Sequence, residues 1–271
     1  MSAPAYAAFF GFSAQPFSKE IDDKDLWLPP SKTALVDEMI EALAMRQSIS
    51  LVGDPGVGKT CVLRSLRHRV TQLGFRLTYC HNATLGRRDF YRQLCLALGL
   101  SPSATAAAVF WAVSSHVQEL SGSKLHPVFL LDESHLLHQD TLDHLHILLN
   151  YEWDQKALLS LVLVGLPELG ERLCLRRNRS LQSRIHTRLT IGATTQQDTA
   201  EYCRYRLINA GFDRELFASD AIAMLHEASS GSLRGIDRIA TLALRETARR
   251  KNKIVERDCI AHVIDQDAEA Q

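Results

Sequence analysis

The polarity pattern of the first two thirds of the chain alternates between short apolar runs and longer stretches with an apolar residue every three or four positions. The short runs have the length of strands and lie at 48–52, 75–81, 127–133 and 158–165. The longer stretches predict helices at 31–43, 61–66, 88–98, 104–120 and 136–151. Because the runs at 127–131 and 158–165 are almost wholly apolar, they are typical of strands buried on both faces of a parallel sheet. The pattern therefore predicts an α/β fold with a parallel sheet flanked by helices.

The last third of the chain has helical periodicity only. Helices are predicted at 199–211, 219–230, 233–251 and 256–265, with glycines at 211 and 231 between them. The first thirty residues instead spread aromatic side chains among polar ones, which favours an extended arm that packs its rings on the rest of the protein. We therefore predict three parts: an N-terminal arm at 1–30, an α/β domain at 31–192 and a small all-helical lid domain at 193–271.

Residues 53–60, Gly-Asp-Pro-Gly-Val-Gly-Lys-Thr, fit the P-loop pattern at every fixed position. Glycines let the backbone turn so that N–H groups face phosphate oxygens, Lys59 supplies a cation and Thr60 offers a hydroxyl to Mg²⁺. A predicted strand precedes the loop and a predicted helix follows it, so the helix dipole also favours an anion there. The α/β domain is thus predicted to bind ATP and Mg²⁺. The predicted nucleotide-binding residues here are Gly53, Asp54, Pro55, Gly56, Val57, Gly58, Lys59, Thr60 and Cys61.

Two adjacent acids, Asp132 and Glu133, end the apolar run that begins at Pro127. Hydrolysis of a nucleoside triphosphate needs a fixed Mg²⁺ and an aligned water. We predict that Asp132 holds the metal together with Thr60, and that Glu133 orients the attacking water or accepts its proton. The alternative is structural, with the acids serving as a helix N-cap and a first-turn charge.

Three arginines are predicted to face the charge that develops on the transferred phosphoryl group. Arg234 begins a helix of the second domain, in Gly-Ser-Leu-Arg-Gly at 231–235, and is predicted to bind nucleotide. Arg184 and Arg188 follow the predicted strand 158–165 and are candidates for arginine fingers directed at a neighbouring subunit. The alternative for all three is a solvated or salt-bridged surface residue.

Composition narrows the functional classes. Lysines plus arginines equal aspartates plus glutamates at 31 each, so the chain is not a general polyanion binder and nucleic acid would need a local basic patch. The six cysteines are scattered without a C-x-x-C pair, which predicts reduced thiols in the cytoplasm and no zinc site. No apolar run reaches the ~18–20 residues that cross a bilayer, and no signal peptide is evident, so no membrane partner is predicted.

Taken together, these motifs resemble those of the AAA+ ATPases. Walker A lies at 53–60, Walker B at 127–133, an arginine-bearing stretch at 183–185 and sensor 2 at 231–234. Within the superfamily the chain is similar to the ExeA-like and TnsC/TniB/IstB/MuB-like group over residues 8–265. The marks of that group are Phe-Gly-Phe at 10–12 with Pro-Phe at 16–17, Asp-Glu-Ser-His at 132–135, Val-Gly-Leu-Pro-Glu-Leu at 164–169, and the segments 202–211 and 231–238.

The resemblance implies an ATP-dependent regulator that oligomerises as a ring or filament on double-stranded DNA, with little sequence preference, and activates a DDE transposase. It places Thr84, Arg87 and Arg88 on the DNA-facing surface. The alternative within the group is an ExeA-like secretion or membrane-assembly ATPase. Members of that kind carry a membrane span and a peptidoglycan-binding part after the ATPase, and because this chain ends soon after its helical domain, the transposition role is the first expectation.

Two further points qualify the resemblance. The sensor 1 position after the strand glycine is Leu166, where the group commonly has a polar residue, so either another polar side chain substitutes for it or hydrolysis is slow. The ATPase is expected to be slow and stimulated by assembly. A small-molecule P-loop kinase is a third possibility, and the helical domain with Arg234 argues against it.

Overall fold

The structure is a computed structural model, and it describes residues 5–80, 86–101, 106–151 and 155–269. A five-stranded parallel sheet has the strand order β2-β3-β4-β1-β5. Its strands are β1 (Ser48–Val52), β2 (Phe75–Cys80), β3 (His126–Leu131), β4 (Ser160–Gly165) and β5 (Ile185–Thr190). This sheet, flanked by helices, confirms the predicted AAA+ type of α/β P-loop NTPase fold, and a helical C-terminal region is also present.

Helices connect the strands and form the end of the chain. The first eight described are α1 (Ala5–Phe10), α2 (Pro30–Ala44), α3 (Lys59–Val70), α4 (Arg87–Ala97), α5 (Ala106–Gly122), α6 (Gln139–Leu148), α7 (Glu168–Cys174) and α8 (Arg179–Gln182). The remaining four are α9 (Gln196–Asn209), α10 (Ser219–Ser229), α11 (Leu233–Arg249) and α12 (Arg257–Glu269). No helix in the described part of the chain is both long enough and apolar enough to cross a membrane.

The centre of the sheet is made by β3 and β4. All six residues of each strand are buried, as their continuous apolar sequences predict. Helices α4, α5 and α6 contribute further residues to the same core, among them Phe90, Leu94 and Leu142. Burial of this kind supplies most of the stability of an α/β unit, since truncating one core leucine costs about 2–5 kcal/mol.

Strand β5 was not predicted from the sequence, in which 158–165 is the last predicted strand. Residues Ile185–Thr190 pair in parallel with β1, and β5 lies at one edge of the sheet. Its sequence alternates apolar and polar residues, and only Ile185 and Leu189 are buried. Arg188 therefore lies within this strand, and Arg184 lies directly before it.

The chain divides into two compact units, each with its own hydrophobic core. The helical unit contains residues 5–29, 55–61 and 192–269, and the sheet unit contains 30–54 and 62–191. The N-terminal residues thus group with the helical unit, and part of the arm is the helix α1 rather than extended chain. Tyr6, Phe12 and Phe17 are buried in the core of this unit beside residues of α9, α10 and α11.

A buried arginine binds the N-terminal arm to α9 within the helical unit. The guanidinium of Arg206, on α9, donates to the carbonyl oxygens of Pro16 at 2.6 Å and Ser18 at 2.7 Å, and to the Tyr202 hydroxyl at 2.7 Å. That hydroxyl in turn donates to the carboxylate of Asp237, on α11, at 2.7 Å. This Arg206 cluster (Arg206, Tyr202, Asp237) explains why a charged side chain is tolerated at 4 % exposure.

Candidate functional site

The P-loop has the local structure that its sequence predicts. Strand β1 ends at Val52, and the Gly53 N–H donates to the carbonyl of Gly165 at 3.2 Å. Gly56 and Gly58 have φ angles of +82° and +100°, in the left-handed region that glycine adopts without strain. Helix α3 begins at Lys59, so the backbone N–H groups of the loop lie at a helix N-terminus. Lys59 is buried, whereas Thr60 is exposed.

Within the helical unit, the tip of the P-loop contacts the start of α11. The Leu233 N–H donates to the Gly56 carbonyl at 3.0 Å. A side chain at position 56 would collide with the Ser232 hydroxyl and would lie 3.2 Å from the Cβ of Arg234. Ser232 caps α11 by accepting from the Gly235 N–H at 3.3 Å. The structure therefore brings Arg234, whose side chain is exposed, beside the loop tip, and its action on nucleotide stays a prediction.

In the sheet unit, Asp132 follows β3 at the carboxyl-terminal edge of the sheet. Its backbone N–H donates to the Cys80 carbonyl at 3.1 Å, which continues the pairing of β3 with β2. The hydroxyl of Tyr79, on β2, donates to its Oδ2 at 3.1 Å. Burial and the nearby carboxylate raise the pKa of Tyr79 to about 12, so this hydroxyl stays a donor at neutral pH. Tyr79 could not be predicted as a site residue, because its contact with Asp132 depends on how β2 and β3 pair.

Glu133 occupies a strained turn directly after Asp132. Its φ and ψ are 51° and 35°, a left-handed conformation that costs a non-glycine residue about 1–2 kcal/mol. The turn is held by the Ser134 hydroxyl, which donates to the Leu131 carbonyl at 2.7 Å, and by the Glu133 N–H, which donates to Asp132 Oδ1 at 2.9 Å. Glu133 itself is half exposed, at 51 % of its side chain. Strain of this kind persists where the surrounding structure fixes it, and it is common at functional sites.

His135 is a residue of this turn whose contacts the sequence did not predict. Its Nδ1 lies 3.5 Å from Glu133 Oε2 and 3.4 Å from the backbone nitrogen of Leu166, at the sensor 1 position. The ring is 12 % exposed. Arg172, on α7, donates to the carbonyl oxygens of both His135 and Leu137, so the backbone of the turn is also fixed.

The other predicted cations lie on exposed surfaces of the sheet unit. Arg184 donates to the Ser180 carbonyl at 3.0 Å, and Arg188 donates to the Gln182 carbonyl at 3.2 Å. Arg87, at the start of α4, contacts His144 at 2.7 Å, and Arg88 is exposed beside it. Thr84 lies outside the described residues. Finger roles for Arg184 and Arg188, and DNA contact by Arg87 and Arg88, stay predictions.

The residues present fit a nucleotide with its magnesium ion. Two positive-φ glycines and a buried lysine at a helix N-terminus make a cradle for phosphates that side chains at positions 56 and 58 would disturb. Mg²⁺ usually takes one or two protein oxygens together with phosphate and water oxygens. Thr60 and Asp132 each carry an oxygen of that kind, and their joint use by one Mg²⁺ stays a prediction.

The sheet and its P-loop have the fold of the AAA+ P-loop NTPases, and comparison with known proteins agrees. Residues 42–173 match the family model described as AAA domain. Among curated proteins, the chain is 32 % identical over 257 residues to General secretion pathway protein A of Aeromonas hydrophila. That match takes in 93 % of this chain and 47 % of the relative, so the chain spans about half the length of the relative.

Solved structures support the fold alone, since their sequence identities are low. The ORC2 protein of Aeropyrum pernix in its ADP form has a TM-score of 0.65 at 13 % identity, over 92 % of this chain and 71 % of that one. The Aeropyrum pernix ORC1 protein in complex with DNA has a TM-score of 0.63 at 20 % identity, over 88 % and 66 %. The Thermotoga maritima RuvB Holliday junction branch migration motor has a TM-score of 0.57 at 16 % identity, over 93 % and 73 %.

These comparisons overturn the transposition role expected from the sequence. The curated relative is named for a secretion pathway, and no comparison supports a DDE transposase partner. The expectation depended on the absence of further parts after the helical domain. That argument does not discriminate, because nearly all of this chain aligns with about half of a secretion-pathway protein. The secretion alternative fits the comparison better.

Proposed function

We propose that this chain is the ATPase part of a secretion-pathway protein similar to General secretion pathway protein A. The observation that carries the proposal is the 32 % identity along 93 % of the chain, in a molecule whose P-loop has the conformation of a nucleotide site. ATP binding and hydrolysis change the shape of the protein and thereby act on other components of the secretion machinery.

The chain's own residues divide the work of binding. Backbone N–H groups of 53–60 and the ammonium of Lys59 would hold the phosphates, while Thr60 and Asp132 would hold Mg²⁺. When bound, the metal neutralises charge on the phosphate oxygens. Tyr79 supports this arrangement because its hydroxyl donates to one oxygen of Asp132 and so restrains the orientation of the carboxylate.

Hydrolysis is assigned to Glu133, which accepts a proton from the attacking water while Arg234 stabilises negative charge beside the P-loop tip. Arg184 or Arg188 acts on the nucleotide of a neighbouring copy, so turnover rises with self-assembly. The left-handed backbone of Glu133 supports its role, since strain is kept at a position where the carboxylate must point in a fixed direction.

Two substitutions test the assignment of ATP binding and hydrolysis. Lys59→Ala is expected to weaken binding of a fluorescent ATP analogue by on the order of a hundredfold, because the cation that faces the β and γ phosphates is lost. Glu133→Gln is expected to keep the affinity of the wild-type protein and to lower turnover by on the order of a hundredfold or more. Arg67→Ala, on the exposed end of α3, is a matched control that should change neither quantity.

The secretion role needs its own measurement. In a host in which the native gene is disrupted, the wild-type gene should restore export of a secreted protein, and the Lys59→Ala and Glu133→Gln genes should not. Duplex DNA added to the purified protein should leave ATP turnover unchanged. A disrupted strain with normal export, or a large stimulation of turnover by DNA, would contradict the secretion assignment.

A further inference from the structure

The sensor 1 position of this chain lacks a polar side chain, because it is occupied by Leu166. Leu166 directly follows β4, the strand between β3 and β1, so it lies at the same edge of the sheet as Asp132. A leucine side chain can neither donate nor accept a hydrogen bond. A polar neighbour that orients Glu133 therefore has to be a residue other than Leu166.

Among the residues that the structure describes, His135 has a polar side chain that reaches this place. Its Nδ1 lies between the Glu133 carboxylate, at 3.5 Å, and the Leu166 N–H, at 3.4 Å. Both distances are longer than an ideal hydrogen bond, as is common for catalytic contacts before ligand is bound. Nδ1 donates to the carboxylate when it carries the ring proton and accepts from the Leu166 N–H when it does not, and orientation of Glu133 uses the first of these tautomers.

The ring has little freedom to move elsewhere. A Cβ at Gly165 would lie 3.2 Å from Nδ1 and 3.1 Å from the His135 nitrogen, so the strand end packs directly behind the ring. Arg172 donates to the carbonyl of His135, and Asn178 donates to the Arg172 carbonyl at 2.7 Å. The imidazole is therefore fixed by its surroundings, as expected for a group that orients another side chain.

We propose that His135 is the positioning residue for Glu133 and that it replaces, from the Walker B turn, the side chain missing at the sensor 1 position. This inference rests on the proposed ATPase function and adds a residue to it. In this role His135 does not touch the phosphates. It keeps the Glu133 carboxylate directed at the attacking water, so its removal affects turnover more than binding.

The central experiment measures ATP turnover and the affinity for a fluorescent ATP analogue in His135→Ala. Turnover at saturating ATP should fall on the order of tenfold to hundredfold, as for other residues that orient a catalytic group, while the dissociation constant should change by less than about threefold. His135→Asn should restore much of the loss, because its amide can donate from a similar position. A histidine with a merely structural role would not give this separation of turnover from binding or this rescue.

His138→Ala is the matched control. His138 is an exposed histidine three residues further on, before α6, and its substitution should leave both quantities unchanged. Glu133→Gln distinguishes the two proposals. If Glu133→Gln is inactive and His135→Ala turns over ATP normally, the positioning role is wrong and the ATPase assignment stands. If Glu133→Gln retains normal turnover, the assignment of Glu133 fails whatever His135 does.

A double substitution sharpens the test, since residues that act as a unit are not additive. His135→Ala should cause little further loss of residual turnover in the Glu133→Gln background, and a full additional loss would overturn the proposal. If His135→Ala does not fold, Gly165→Ala is the second variant: its Cβ would lie 3.1 Å from the His135 backbone nitrogen and 3.2 Å from Nδ1, so His135 has to shift by a few tenths of an ångström while its chemistry is unchanged. Turnover of that variant should fall severalfold at unchanged affinity, and normal turnover would again overturn the proposal.

Discussion

Two polar clusters of this molecule are built in opposite ways. The Arg206 cluster in the helical unit is buried, and its guanidinium makes three hydrogen bonds of 2.6–2.7 Å. The turn that carries Glu133 in the sheet unit has a half-exposed carboxylate, a left-handed backbone and contacts of 3.4–3.5 Å around His135. A saturated buried cluster holds chain segments together, whereas the turn keeps acceptor capacity that a ligand or a water molecule can use. We therefore expect substitutions in the first to change stability and substitutions in the second to change turnover.

The largest effect on stability is expected for Arg206→Met. It leaves the carbonyl oxygens of Pro16 and Ser18 without their donor and Asp237 without its cation, at a cost of about 3–5 kcal/mol, as for other broken buried ion pairs. Urea-induced unfolding followed by circular dichroism measures it. Arg204→Met, an exposed arginine on the same helix, is the control and should change the free energy of unfolding by less than about 0.5 kcal/mol. Equal changes in the free energy of unfolding for Arg206→Met and Arg204→Met would contradict the structural role of the Arg206 cluster.

A smaller effect is expected in the pH dependence of stability, to which Asp237 of the Arg206 cluster contributes. Burial raises the pKa of Asp237 to about 6, although Arg206 and the Tyr202 hydroxyl act to lower it. A carboxyl whose pKa is higher in the folded state than in the unfolded state destabilises the fold when it is ionised. The free energy of unfolding should therefore rise as the pH falls from about 6 towards 4 and Asp237 is protonated. Relative to Asp237→Asn, the wild-type protein should therefore gain about 2 kcal/mol between pH 7 and pH 4. Unfolding at several pH values tests this, and parallel profiles would contradict it.

The smallest effect is expected for Tyr79→Phe. Loss of one hydroxyl that donates to Asp132 at 3.1 Å, on a side chain that is 46 % exposed, should weaken Mg²⁺ binding by about 1 kcal/mol at most. The Mg²⁺ concentration for half-maximal ATP turnover should rise a fewfold, with the stability unchanged. Tyr205→Phe, on α9, is the matched control. An unchanged Mg²⁺ dependence would show that Tyr79 does not orient Asp132.

Local sequence was enough to predict the strand before the P-loop, the helix after it and the buried strands that precede Asp132 and Leu166. A strand order could not be predicted, because side-chain periodicity does not say which strands are neighbours. Tyr79 meets Asp132 because β2 pairs with β3, and His135 meets Leu166 across thirty-one positions. Strand β5 was missed because an edge strand with alternating exposed residues, Arg188 among them, has a weaker signal than a buried run.

The hydrogen bond from the Leu233 N–H to the Gly56 carbonyl has a consequence for dissecting and recombining such proteins. A truncated chain ending near residue 192 would retain all residues of the Walker motifs but would lose the Leu233 N–H, which donates to the carbonyl at the tip of the P-loop. Because a side chain at position 56 would also collide with the Ser232 hydroxyl, chimaeras that exchange the C-terminal helices between relatives should take positions 56 and 232–234 from the same parent.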